Sequence, residues 1–336
     1  MAESANPSPR PARGSRLDVR KDRVGFRLAA FGAVLVVLLS AGFGIGRLTS
    51  SAGGSDGAAA GRSGSGAAGT DTGAHAHGGD AETAPHEHHP DGTATTAADG
   101  AGATVGGLAV TASGYTLVPR STTVRAGRRQ PWQFHIAAAD GRPVTAFAVV
   151  HDKPLHLVVV RRDLSGYQHL HPTMTPDGTW TTDVTVDSAG PWRAYADFTA
   201  VAAGVQTPLT LGVDLTAAGE YAPVPLPAPR RTAAVAGFTV RFDGTPRTGV
   251  TQPVLVRVTT ADGQPAALQP YLGAFGHLVV LREGDLGYVH VHPEPQPVDG
   301  AVKFWLAAPG PGRYRMFFDF QVDGRVHTAA FTATVS

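Results

Sequence analysis

A chain of 336 residues without a single cysteine excludes disulfide scaffolds, blue-copper thiolates and iron–sulfur clusters. Its formal net charge of +1 supplies no global field that would gather nucleic acid. Compartment therefore has to be read from segments, because absence of cysteine fits either side of a membrane.

Residues 1–27 form a basic tail with Arg10, Arg13, Arg16, Arg20, Lys21, Arg23 and Arg27. Leu28 to Gly46 is an uncharged apolar run of 19 residues. As a helix it spans ~28 Å, close to the hydrocarbon thickness of a bilayer. The positive-inside rule places the tail in the cytoplasm and everything after 46 outside the cell membrane. The competing reading is a cleaved signal peptide with a small-x-small site at Ser50-Ser51-Ala52. The length of the run and the Arg47 that follows it favour an uncleaved single-pass anchor.

Residues 47–104 are Gly, Ala, Ser and Thr with almost no large apolar side chain, so this segment reads as a disordered linker. It carries His75, His77, His86, His88 and His89, a tract suited to loose metal capture.

Beyond 104 the chain repeats itself. His156-Leu-Val-Val-Val-Arg leads to His169-Leu170-His171-Pro172, and His277-Leu-Val-Val-Leu-Arg leads to His290-Val291-His292-Pro293, 121 positions later. Asp140-Gly141 matches Asp262-Gly263, Asp177-Gly178 matches Asp299-Gly300, and the strand ending in Asp197-Phe198 matches the one ending in Asp319-Phe320. Two repeats follow, 105–217 and 235–336, joined by a Pro-rich linker at 218–234. Period-two alternation dominates, as in Trp132-Gln-Phe134-His-Ile136 and Phe238-Thr-Val240-Arg-Phe242. The expected fold is all-β: two tandem immunoglobulin-like or cupredoxin-like β-sandwiches after one N-terminal transmembrane helix and the linker. Each repeat has its own strand and turn signals, so the two are expected to fold independently.

In a strand, i and i+2 share a face, so His169 projects with His171 and His290 with His292. A hairpin turn at 163–166 brings His156 towards the first pair, and the second repeat follows the same logic with His277. Three neutral imidazoles with an open position suit Cu(II) or Zn(II). His327 stands where the first repeat has Gln206, which predicts a tighter site in the second repeat. Asp197 and Asp319 each follow an aromatic on the same strand face and serve either as ligands or as acceptors that fix an imidazole tautomer. The bland alternative is that His156 and His277 are core residues with polar partners, and that H-x-H-P caps backbone groups. No H-E-x-x-H or P-loop occurs, so no enzyme is expected.

The two His phrases resemble those of a family of bacterial secreted or membrane-anchored proteins of unknown function. They are also loosely similar to extracytoplasmic copper-carrier sandwiches, which implies copper or zinc as cofactor and other copper-handling membrane proteins as partners. The leading expectation is a membrane-anchored metal chaperone or buffer. The alternative is a tandem immunoglobulin-like structural or interaction module whose histidines are architectural.

Overall fold

The computed structural model describes residues 105–336 and the backbone of two short paired strands, His86–His88 and Ala94–Thr96. The basic tail, the apolar run and the remainder of the His-rich linker, with His75, His77 and His89, lie outside the described residues. The described residues are strand and turn throughout, without a helix.

Each repeat is a sandwich of two sheets. In the first repeat, one sheet runs in the order Thr173–Met174, Trp180–Val186, Arg128–Ala137, Tyr115–Pro119, Thr111–Ala112. Its inward face is the alternating set read from the sequence: Trp132, Phe134 and Ile136, joined by Trp180, Val184 and Val186. The facing sheet runs Gln168–Leu170, Leu155–Arg161, Gly190–Ala202, Val205–Ala217, Thr123–Val124. The second repeat has the sheet Thr232–Val235, Phe238–Asp243, Thr251–Thr259, Val302–Ala307, Val291–Pro293. Against it packs the sheet Arg325–Val335, Gly312–Val322, His277–Arg282, Tyr288–Val289. The tandem all-β sandwich architecture is thus the one expected.

The repeats are not independent, and this corrects the expectation of two separate folds. The strand Leu155–Arg161 is buried at all seven positions. Leu157 and Val159 enter the core of the first repeat, while Val158 and Val160 point the other way. The second repeat mirrors this: Leu278 and Val280 enter its own core, and Val279 and Leu281 point outward from it. The two outward sets meet in a third core with Leu164, Tyr195, Leu286, Tyr288 and Phe317. Four sheets are therefore stacked, and the middle two have apolar side chains on both faces. A run such as Leu-Val-Val-Val, without alternation, is what two-sided burial requires.

Polar ties cross the same seam. Tyr167 stacks on Phe317 at 4.0 Å and donates to Asp319 at 3.0 Å. Tyr195 donates to the Leu286 carbonyl at 2.6 Å, and Arg162 to that of Gly284 at 2.6 Å. The strand Val105–Gly106, at the head of the first repeat in sequence, pairs instead with Tyr288–Val289 of the second. Buried Arg193 holds this crossing segment through the Gly107 and Leu108 carbonyls. The crossing needs Gly212, because a Cβ there would sit 1.9 Å from the Gly107 oxygen.

Expressed alone, residues 233–336 would expose Val279, Leu281, Leu286, Tyr288 and Phe317, each worth ~1.5–3 kcal/mol of burial. The fragment is expected to be molten or aggregated, whereas 105–336 unfolds in one cooperative transition. Near-UV circular dichroism and denaturant melts of both check this. A cooperative native fold of the short fragment would restore the independent reading.

Candidate functional site: a histidine cluster at the seam

Strand parity puts the polar cluster on the seam. His156 shares a face with Val158 and Val160, and His277 with Val279 and Leu281. His169 lies opposite Val158 in the ladder. Asp197 lies opposite His156, and Asp319 opposite His277, so both carboxylates face the seam too.

One composite cluster results, where the sequence reading expects a site in each repeat. His156 and His169 of the first repeat meet His277 of the second, with one ligand nitrogen from each inside a span of 4.8 Å. Their exposures are low: 4% for His156, 7% for His277 and 3% for the His169 side chain. His171 joins them, its ring 5.1 Å from that of His156 and 4.8 Å from that of His169. Its Nε2 is buried and has no hydrogen-bond partner.

The hydrogen bonds fix the tautomers. His156 Nε2 donates to the Val150 carbonyl at 3.1 Å. His169 Nδ1 donates to Asp319 Oδ2 at 2.9 Å. Asp319 also accepts from Tyr167 and, through Oδ1, from Thr328 at 2.6 Å. A carbonyl and a carboxylate can only accept. The remaining nitrogens, His156 Nδ1 and His169 Nε2, then face each other at 3.1 Å. In two neutral rings, both of these nitrogens carry lone pairs.

The sequence reading leaves out one member. His151 is set into the seam by the turn Val150–Lys153, closed by backbone bonds in both directions. His151 and Asp152 have φ of 48° and 61°, the two left-handed positions of a type I′ turn. Its ring lies 5.7 Å from that of His277. The equivalent turn of the second repeat has Leu272 and Gly273, also at positive φ. The His-Asp pair where Asn-Gly is usual was the available signal.

Three expected ligands lie elsewhere. The chain of the second repeat leaves the inner sheet at His290 and joins the outer one at Val291–Pro293. In the first repeat the inner strand continues through Leu170, and the outer pairing begins at Thr173–Met174. The earlier crossing leaves His290 exposed and pairs it with His292 at 5.2 Å instead of His277. His327 packs on Phe238 and Phe320 at 5.2 and 5.4 Å, so it cannot strengthen a second-repeat site. Of the two aspartates, Asp319 orients His169, and Asp197 accepts from Thr210 at 2.8 Å.

Burial sets the charge of the cluster. Desolvation, then the neighbouring His169, pushes His156 down to about 4. Desolvation, then His169, His156 and Lys153, pushes His171 down to about 3. His277 is driven well below the usual imidazole range by desolvation and then by His169, His156, His151 and His171. His151 is lowered by desolvation, against the pull of Asp197. A base whose folded pKa is depressed leaves stability intact above its unfolded pKa of ~6.5. Below that, the unfolded chain takes up protons that the folded one refuses. The chelator-treated protein should therefore lose stability steadily between pH ~6.5 and ~4. Denaturant midpoints at pH 7.5, 5.5 and 4.5 check this, and a flat profile would contradict the buried neutral cluster.

No protein with a curated description matches the chain in sequence. Among solved structures, the chain is similar to the Escherichia coli adhesin FdeC, with 16% identity and a TM-score of 0.24 over 68% of this chain and 66% of that one. MtrC from Shewanella baltica OS185 gives 9% identity and a TM-score of 0.23, over 66% and 68%. Invasin, a bacterial integrin-binding protein, gives 14% and 0.22, over 68% and 41%. The sequence model of a family described as a domain of unknown function (DUF8832) matches residues 109–214 and 233–336, and the chain belongs to that family.

Proposed function

We propose that the protein is a membrane-anchored, extracytoplasmic structural and interaction module. It presents two immunoglobulin-like repeats as one four-sheet body, carried by the anchor at 28–46 and the linker at 47–104. The observation that carries this reading is the third core, with Val158, Val160, Tyr195, Val279, Leu281, Tyr288 and Phe317 between the repeats. Domains joined by a linker move relative to each other unless their interface is large and hydrophobic. Here the interface is apolar and tied by Tyr167, Tyr195 and Arg162. Such a body holds its outer surfaces at a fixed spacing, which suits a display or docking module. The reading is non-enzymatic, since the grouped imidazoles of His156, His169 and His277 are shut away from solvent.

A second reading, a copper or zinc chaperone or buffer, is favoured by the convergence of those three imidazoles. Their burial speaks for a retained ion and against one handed quickly to a partner.

The module reading is tested on intact cells. Protease added outside should cut within 47–104 and release a body containing 105–336 that resists further digestion and keeps its melting temperature. Protection of the whole chain until the membrane is breached would place the repeats on the cytoplasmic side and overturn the reading.

A further inference from the structure

We propose that His156, His169 and His277 hold one divalent cation of the Zn(II) or Cu(II) class, shared between the repeats, with His171 Nε2 as a fourth nitrogen donor. The inference rests on the metal-holding reading and changes it: one shared ion at the seam, acting as a cross-link, in place of one exchangeable ion in each repeat.

The first argument is the pair of facing lone pairs. His156 and His169 each spend their N–H on an outside acceptor, Val150 and Asp319, and present bare nitrogens to each other at 3.1 Å. Two acceptors at that distance repel unless a cation lies between them. A proton between them would charge one of two rings that are 4% and 3% exposed. A metal ion takes both lone pairs at once.

The second argument is dimension. Metal–imidazole bonds of ~2.0 Å give neighbouring nitrogens ~2.8 Å apart at a square-planar edge and ~3.3 Å apart at a tetrahedral one. The observed 3.1 Å lies between them. The three donors all lie within 4.8 Å of one another, wider than a ~3.3 Å tetrahedral edge, so the rings draw together when they take the ion.

The third is the unpartnered His171 Nε2, a buried nitrogen beside the same group. Buried polar atoms without partners are rare, and each asks for an explanation. The fourth is Asp319, which accepts from His169 Nδ1 and is itself held by Tyr167 and Thr328. A carboxylate behind a ligating imidazole fixes its tautomer and raises its basicity.

The donor set selects the ion. The chain has no thiolate. Met316 lies inside the core of the second repeat and Met174 packs against that of the first, so no thioether among the described residues reaches the seam. An all-imidazole site suits Zn(II) and Cu(II) over Cu(I) or the oxygen-seeking Mg(II) and Ca(II).

The test uses the full chain in detergent with His75, His77, His86, His88 and His89 changed to Ala, so that only seam binding is read. Zn(II) and Cu(II) are titrated in competition with a chromophoric chelator. One equivalent is expected, with nitrogen hyperfine structure from three or four imidazoles in the Cu(II) paramagnetic resonance spectrum and a rise in melting temperature. Removing the ligand through His277→Gln, or the orienting group through Asp319→Asn, should weaken affinity by at least ~10- to 100-fold. His290→Gln and His327→Gln should leave it unchanged. Melting of each metal-free variant shows whether it folds, and the less buried His171→Gln, expected to remove one nitrogen from the spectrum, serves if His277→Gln does not. One bound equivalent that ignores both His277→Gln and His171→Gln overturns the shared site and leaves metal binding standing. No binding at all overturns both and leaves the structural module as the function.

Discussion

Everything in this protein follows from two strands that are buried on both faces. Leu155–Arg161 and His277–Arg282 each serve two cores, their even and odd residues facing opposite ways. A strand in an ordinary sandwich spends one face on solvent and alternates accordingly. These strands cannot, so they are apolar at every middle position. The imidazoles and carboxylates of the seam gather where these strands begin and on the strands opposite. His156, His277, Asp197 and Asp319 are at those places, beside the edge of the third core instead of in its centre.

The duplication gives the seam an approximate twofold character that is broken in one region. Tyr167 on Phe317 is matched by Tyr288 near Tyr195, and Leu164 by Leu286, both leucines at positive φ. The match fails at the second H-x-H. Val289 is the last inner-sheet residue there, and Val105–Gly106 pairs along the outer edge of that short strand. His290 leaves for solvent, and His151, in a turn whose counterpart carries Leu272, supplies an imidazole near His277 instead. The cluster is asymmetric as a result, with four imidazoles from the first repeat and His277 from the second.

The class of fold and the pairing of residues within strands were legible in the sequence because both depend on local periodicity. Alternation in Trp132-Gln-Phe134-His-Ile136 marked an inward face, and the H-x-H spacing marked a common face for His169 and His171. What parity cannot tell is which layer lies on each side. The unalternating Leu-Val-Val-Val signalled two-sided burial, but a continuous apolar run is equally consistent with one deep core. The partners of the first-repeat imidazoles therefore had to be found across a contact between residues more than 100 positions apart, as in His169 with Asp319. His290 and His327 were misplaced for a related reason. Copying the first repeat's geometry onto the second assumes that the strand changes sheets at the same residue, and it does not.

The polar cluster is not needed to hold the repeats together, and that is the most informative thing about it. Val158, Val160, Val279, Leu281 and Phe317 already give cohesion. Apolar residues at 156, 169 and 277 would extend that core without desolvating any nitrogen, and such exchanges of buried polar groups are often neutral or stabilising. Five imidazoles around one point are the opposite choice. Their outer nitrogens are satisfied in part by Val150 and Asp319, but the inner ones of His156 and His169 face each other and that of His171 faces nothing. A merely architectural histidine would be expected to use both of its nitrogens. These are the nitrogens that a cation held by the cluster would take up.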